Sequence, residues 1–249
     1  MRGSQRLFGI VEELSDRSMN LTELAARVEL PKSTTLRFLN DLEGANWVSR
    51  DSSGVYSLGA NVVSLAAQYL THNELINTAT PHMRALRAEL DETVSLSRRI
   101  GLMRVCVQEF PSTQSLRLVL GIGERGPLNA GASGILLYAH MPEEERRQLA
   151  DEGLESFTDR TLTSFEDLEV EREKVLAQGW AVTHGTKTKG GVAIAVPLTD
   201  PDSDGDVAAL GLFGPELRCA TKAEQARWRK ALLDTAADIS ATLSSVPTS

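Results

Sequence analysis

The chain has 249 residues, 41% of them hydrophobic and 24% charged, and its 26 Lys and Arg against 34 Asp and Glu set a net charge of −8. That balance excludes disordered, collagen-like and fibrous chains. It also excludes a protein that coats nucleic acid through overall basicity, while leaving room for a local reading head, because attraction to phosphate depends on where the charges sit. At roughly 100–200 residues per domain, the length allows one large domain or two smaller ones. No stretch approaches the roughly 18 apolar residues of a membrane span. Met1 to Arg6 lack the apolar core and cleavage site of a signal peptide. Cys106 and Cys219 stand far apart with no ligand-like neighbours, so both are expected to be buried, inert thiols in a reducing, cytoplasmic compartment.

In chain order, Leu7, Ile10, Val11 and Leu14 recur at helical spacing, with Ser4 as the expected N-cap. Asn20 and Glu23 have capping-box spacing ahead of a second helix striped by Leu21, Leu24, Ala25 and Val28. After Pro31 a third helix is expected over 32–43, with Leu36, Leu39 and Leu42 inward and Gly44 as its stop. Runs at 47–50 and 55–58 flank Asp51-Ser52-Ser53-Gly54, a hairpin signal. Val62 to Tyr69 suggest a linking helix, and another is expected over 76–90, with Pro81 marking a boundary or kink. The period then changes. Strands are expected over 93–100, 103–109 and 116–120, a glycine-rich loop over 121–134, and helices over 134–140, 142–151 and 165–178. Strands over 192–198 and 207–213, joined by a polar turn at 200–206, precede a closing helix over 222–243. Strands and helices mixed in this way indicate an α+β fold with an antiparallel-leaning sheet.

Three helices followed by a hairpin outline a winged helix-turn-helix, whose third helix enters the major groove while the wing lies on the phosphate backbone. The start of that helix has suitable chemistry. Lys32 offers a charge to phosphate, and Ser33, Thr34 and Thr35 offer hydroxyls to phosphates or base edges. Arg37 can reach a guanine edge bidentately, and Arg50 at the wing is placed for a backbone contact. Residues 1–60 carry seven Lys and Arg against eight Asp and Glu, a net of −1, leaving −7 for the remainder. Binding by this head therefore rests on a few directed contacts. A helical domain with a merely solvated third helix carries the same pattern.

The run 21–25, then Leu30-Pro31-Lys32-Ser33-Thr34-Thr35-Leu36-Arg37-Phe38-Leu39, then Trp47-Val48 and Tyr56-Ser57-Leu58-Gly59, resembles the IclR family of bacterial transcription regulators. The resemblance continues through residues 126–134, Gly179-Trp180-Ala181-Val182 and residues 191–197, and so covers nearly the whole chain. It implies a winged helix-turn-helix over 1–60, a linker helix over 61–75, and a GAF- or profilin-like effector-binding domain with an antiparallel sheet over 76–249. It also implies homodimers or homotetramers on an inverted-repeat operator, answering a small molecule. Leu36 stands where many members carry His, so any contact of that His is absent.

Carried over by the same motifs, the effector site involves Asn129, Ala130, Gly131, Ala132 and Ser133, then Thr183 and His184, and Ala193, Gly211 and Phe213 of the late strands. Relative to the family pattern, Thr183, Ala193, Gly211 and Phe213 replace an acidic anchor, a Cys and two Ser. The site is therefore expected to be less polar, with Gly211 widening it, and to favour an apolar or aromatic acid over glyoxylate or pyruvate. Lys187, Lys189 or His184 would pair with the carboxylate. Gly121 to Gly126 match GxGxxG, but no helix is expected to open within those glycines, which a dinucleotide site requires. Gly131 to Gly134 fall one residue short of the hydrolase elbow, and the four histidines show no metal-ligand spacing. The expectation is a regulator, more a repressor than an activator, with no catalytic residue, metal or cofactor and no membrane partner. The competing class is a sensor or enzyme whose N-terminal helices serve assembly only.

Overall fold

A computed structural model describes residues 3–201, 206–219 and 221–245, and its contacts divide the chain into two units, Met1–His72 and Asn73–Ser249. The first begins with helix α1 (Gly3–Asp16), so Ser4 lies inside the helix and not at its cap. A two-residue strand, β1 (Met19–Asn20), leads directly into α2 (Leu21–Arg27). Asn20 accepts from the Thr22 and Glu23 amides while Glu23 reaches back to the Asn20 amide, the reciprocal capping box its spacing indicated. A left-handed Glu29 turns the chain into α3 (Lys32–Gly44). The hairpin follows as β2 (Val48–Arg50) and β3 (Val55–Leu58), and β3 is the middle strand of a three-stranded antiparallel sheet with β1. Asp51 Oδ1 accepts from the Ser53 and Val55 amides, and Gly54 takes φ +84, which fixes the turn.

Ile10, Leu14, Met19, Leu24, Leu39, Leu42, Val48 and Tyr56 form the core of this unit. On α3 the inward stripe is Thr35, Leu39 and Leu42, at i, i+4 and i+7, and Leu36 is only partly buried at its margin. Helix α4 (Asn61–His72) buries none of its side chains and leaves Val63, Leu65 and Tyr69 exposed.

The second unit opens at Asn73, whose side chain caps α5 (Glu74–Leu90) by accepting from the Ile76 amide. The helix therefore starts before the expected residue 76, and it runs through Pro81 without a break, anchored by buried Ala79, Met83 and Leu86. Strands β4 (Thr93–Ile100), β5 (Met103–Phe110) and β6 (Arg125–Gly126) precede helices α6 (Ala132–Ala139), α7 (Glu143–Glu152) and α8 (Phe165–Gln178). Strands β7 (Ala181–His184), β8 (Gly191–Thr199) and β9 (Val207–Pro215) follow, then a 3₁₀ turn (Glu216–Arg218) and α9 (Lys222–Ser245). Residues 202–205 of the expected polar turn lie outside the described residues. The six strands form one antiparallel sheet in the order β6-β5-β4-β9-β8-β7.

The period-2 alternation of β8 and β9 sorts side chains by size. Ala195 and Ala209 sit in the cluster built around α6 and α8, so small residues let α6 approach the sheet. Leu210, Leu212, Ile194 and Val196 point the other way, where α5 and α9 pack on the sheet.

The expected strand over 116–120 does not form. The β5 edge is already taken by the segment 123–126, with the Gly123 amide bonded to Cys106 O at 2.8 Å and the Cys106 amide to Glu124 O at 3.0 Å. Residues 111–124 instead run as a strap held by side chains. Thr93 Oγ1 donates to Leu118 O at 2.6 Å, Glu109 accepts from the Leu120 and Gly121 amides at 2.7 and 3.0 Å, and Arg218 Nη1 donates to Leu116 O at 2.8 Å. Among the described residues no helix is long and apolar enough to cross a membrane.

Candidate functional site

Most of the residues the sequence points to fall in two places, one in each unit. In the first, α3 presents Lys32, Ser33 and Arg37 to solvent and Thr34 partly so. No side chain caps α3, and the first backbone N–H groups of such a helix lack intrahelical acceptors and attract anions. The Arg37 guanidinium lies 5.2 Å over the Phe38 ring. Arg50 is exposed on β2, with its guanidinium 5.3 Å over Tyr56, and Gly54 leaves room beside it. Thr35 does not belong to this face. It is 0% exposed and its hydroxyl donates to Pro31 O at 3.2 Å, because the same turn that exposes Ser33 and Arg37 sends residue 35 into the core. Asn40 is also exposed on α3, one turn beyond Arg37. The i, i+3 spacing from Arg37 is the signal that points to it.

The second place is a cavity of about 120 Å³ in the larger unit. Sheet register builds its floor: Thr183 pairs with Ala193, Ala193 with Phe213 and Phe213 with Thr93, a row across four strands. The start of α6 supplies one wall through Ala130, Gly131, Ala132 and Ser133, and the strap supplies another through Leu118, Val119 and Leu120. Gly131, at φ +74, caps α6 with no side-chain cap, and its amide donates to Thr186 Oγ1 at 3.0 Å. The next N–H groups of α6 are left for a ligand.

Three expected residues are elsewhere. Asn129 is buried behind the wall, its amide donating to Glu155 O and Leu162 O at 2.9 and 2.8 Å. His184 follows Thr183 on the strand and therefore faces the opposite side, with Nδ1 3.5 Å from Glu216 Oε1. Gly211 does not widen the cavity. A Cβ there would stand 2.7 Å from Ser133 Oγ and 3.1 Å from Ser95 Oγ, so its space is already filled. Of the basic candidates, Lys187 lines the cavity, whereas Lys189 lines a separate surface hollow with Asp159 and Arg160.

Arg104 was missed. It lines the cavity at 5% exposure, and its Nη1 donates to Ser97 Oγ at 3.3 Å. Gly126, its cross-strand partner, leaves room for it, because a Cβ there would make the guanidinium shift. The signal is an arginine beside the apolar run Val105-Cys106-Val107 of the strand. Burial pulls the Arg104 pKa down, opposed by Cys106, Glu124 and Glu109, although a guanidinium stays charged throughout the ordinary pH range. Lys187 Nζ sits 3.6 Å over the Phe157 ring. Its pKa is lowered chiefly by burial and also by Arg104, with Glu155 and Glu124 opposing. Cys106, beneath this wall, has its thiol pushed up to about 12 by burial first and Glu109 second.

A winged helix-turn-helix on one unit and a ligand-sized cavity in the other define the class of DNA-binding regulators that sense small molecules. The model of the bacterial transcriptional regulator IclR C-terminal domain matches residues 67–241, and that of the IclR helix-turn-helix domain matches residues 10–52. The chain is 31% identical over 233 residues to the HTH-type transcriptional repressor AllR of Escherichia coli K12, covering 93% of this chain and 85% of that one. It is 33% identical over 236 residues to the transcriptional regulator KdgR of the same strain, covering 93% and 88%. An IclR transcriptional regulator from Alicyclobacillus acidocaldarius superposes with a TM-score of 0.78 at 26% identity, covering 94% of this chain and 97% of that one. The chain belongs to the IclR family of bacterial transcriptional regulators, with a DNA-binding helix-turn-helix and a C-terminal effector-binding domain.

Proposed function

We propose that the protein is a cytoplasmic repressor without catalytic activity, whose grip on an inverted-repeat operator is set by an apolar or aromatic acid in the α6 cavity. In this reading residues 1–60 are the reading head, 61–75 the linker and 76–249 the effector domain. Lys32, Ser33, Thr34 and Arg50 hold phosphates and Arg37 reads a base edge. Repression is the action named for AllR. Homodimers or homotetramers supply the two heads for half-sites separated by about one helical turn or a multiple of it, and the uncovered apolar side chains of α4 are a surface suited to that assembly.

One observation carries the effector reading: the lining of the cavity. Ala193, Phe213, Leu118 and Val119 provide apolar surface, while Arg104 and Lys187 are the charged side chains on its wall. At about 120 Å³ the cavity is close to the roughly 150 Å³ of an apolar cavity that takes benzene.

Fluorescence anisotropy of the full chain on DNA upstream of its own gene tests both halves. Binding that weakens with salt, and that Arg37→Ala weakens by about 1–3 kcal/mol, is expected. Benzoate or 4-hydroxybenzoate should change the apparent Kd by about 5–150-fold, and glyoxylate and pyruvate should not. A response confined to the short oxo-acids would overturn the effector class, and absence of sequence-specific binding would overturn the operator reading.

A further inference from the structure

Among the described residues the other fully buried guanidinium in the larger unit, that of Arg146, and the partly buried ones of Arg98, Arg99 and Arg218 are matched by carboxylates. Arg98 pairs with Asp200, Arg99 with Glu145 and Asp206, Arg146 with Glu169, and Arg218 with buried Glu92. Arg104 is as buried as Arg146, yet its hydrogen bond goes to a neutral hydroxyl, and among the described residues it has no ion-pair partner. An unpaired buried charge is strongly unfavourable, so a cavity that keeps one exposed to its interior is built for an anion.

Lys187 is a second such cation. It lines the same cavity, has no ion pair among the described residues, and stands beside the α6 cap, its Cβ 3.9 Å from where a Cβ on Gly131 would be. The two cations are near enough to act on one another. The acids acting on them, Glu109, Glu124 and Glu155, do not line the cavity. Two positive charges without ion pairs on one cavity are neutralised by two negative ones.

We propose that the cavity binds a dianion, a small organic dicarboxylate with an apolar middle. One carboxylate meets Lys187 and the free N–H groups of α6, and the other meets Arg104. The body lies against Leu118, Ala193 and Phe213. This rests on the cavity being the effector site.

Calorimetric titration of the full chain with paired probes tests it: benzene-1,3- and benzene-1,4-dicarboxylate against benzoate, and pentanedioate against pentanoate. At least one dicarboxylate should bind about tenfold or more tightly than its monocarboxylate partner, as a charge-assisted bond in a partly buried site implies. Arg104→Met and Lys187→Met should each bring that ratio below about threefold, and Arg104→Lys should retain most of it. If Arg104→Met fails to fold, Lys187→Met and Arg104→Lys still decide, since Lys187 is only partly buried. Equal affinity within each pair, or a preference that survives these substitutions, overturns the dianion proposal and leaves the effector cavity standing, because benzoate still binds. No saturable binding of any probe overturns both.

Discussion

Helix α6, whose N-terminus forms one wall of the cavity, meets α7 and α8 at the Glu169 carboxylate, and Glu169→Gln tests how much that tie matters. Glu169 Oε1 accepts from Tyr138 OH and Arg146 Nε, both at 2.7 Å, and Oε2 accepts from Arg146 Nη2 at 3.1 Å. Arg146 is 5% exposed, and its Nη1 donates to Met141 O at 2.6 Å. A glutamine amide offers one acceptor oxygen to three donors and no charge to Arg146. Breaking a wholly buried pair costs about 3–5 kcal/mol. Glu169 keeps 27% of its side chain in solvent, so the expected loss is nearer about 2–3 kcal/mol. Burial alone would push the Glu169 pKa up, but bonds from Arg146 and Tyr138 outweigh it and the carboxyl titrates below its usual range. Because the folded pKa is the lower one, this stabilisation is complete above the unfolded value of about 4.3 and is lost as pH falls through the folded pKa. Urea unfolding followed by Trp180 and Trp228 in a Trp47→Phe background should show the full deficit at pH 7 and a shrinking one under acid. Replacing both partners, Arg146→Met with Glu169→Leu, should recover most of it. A deficit below about 0.5 kcal/mol, less than one ordinary hydrogen bond, or one that acid does not change, would refute the reasoning.

Gly134→Ala should destabilise by about 1–3 kcal/mol through overpacking, although helix propensity alone favours Ala by about 1 kcal/mol. The new Cβ would stand 2.5 Å from the backbone Pro127 O, which has nowhere to go, and a thermal melt reads the sign. Glu109→Gln should speed amide exchange over residues 118–121 by about tenfold, the equivalent of one lost hydrogen bond, while leaving exchange in β8 and β9 unchanged. With its thiol pushed up to about 12, Cys106 should resist iodoacetamide in the native protein at pH 8 and react only in urea. Rapid native alkylation would place it outside the core.

Local chemistry was legible where it is self-contained. The Asn20 and Glu23 capping box and the Asp51 turn use donors and acceptors within a few residues, and both formed as their spacing indicates. Long amphipathic helices such as α8 likewise carry their caps, Ser164 and Gly179, with them. Tertiary competition was not legible. Residues 116–120 alternate like a strand, but the β5 edge they would occupy is filled by residues 123–126. Thr35 looks like one more hydroxyl on the reading face, yet the helical stripe that it shares with Leu39 and Leu42 turns it inward. The cavity was half legible. Family motifs point to Ala130 to Ser133, Thr183, Ala193 and Phe213, but they say nothing of which side of β7 His184 takes, and nothing of Arg104, whose guanidinium packs over Gly126 on the neighbouring strand.

The cavity walls differ in how much they can yield, and that difference bears on how a bound acid can act at all. A ligand shifts an equilibrium only by the difference between its affinities for two states. The floor formed by Thr183, Ala193 and Phe213 is part of a continuous ladder that Thr93 extends, so moving it means breaking bonds along whole strands. The strap has no ladder of its own between residues 116 and 121. Its place depends on Thr93, Glu109 and Arg218, three side chains bonding to its backbone. Each such bond is worth about 1 kcal/mol, or up to about 3 where one partner is charged, the same scale as a typical allosteric coupling of about 1–3 kcal/mol. Thr93 holds Leu118 and pairs across the sheet with Phe213, so a ligand resting on Phe213 adjoins the strap at its anchored point. The strap is therefore the cavity wall whose position an effector can change with the binding energy it has available.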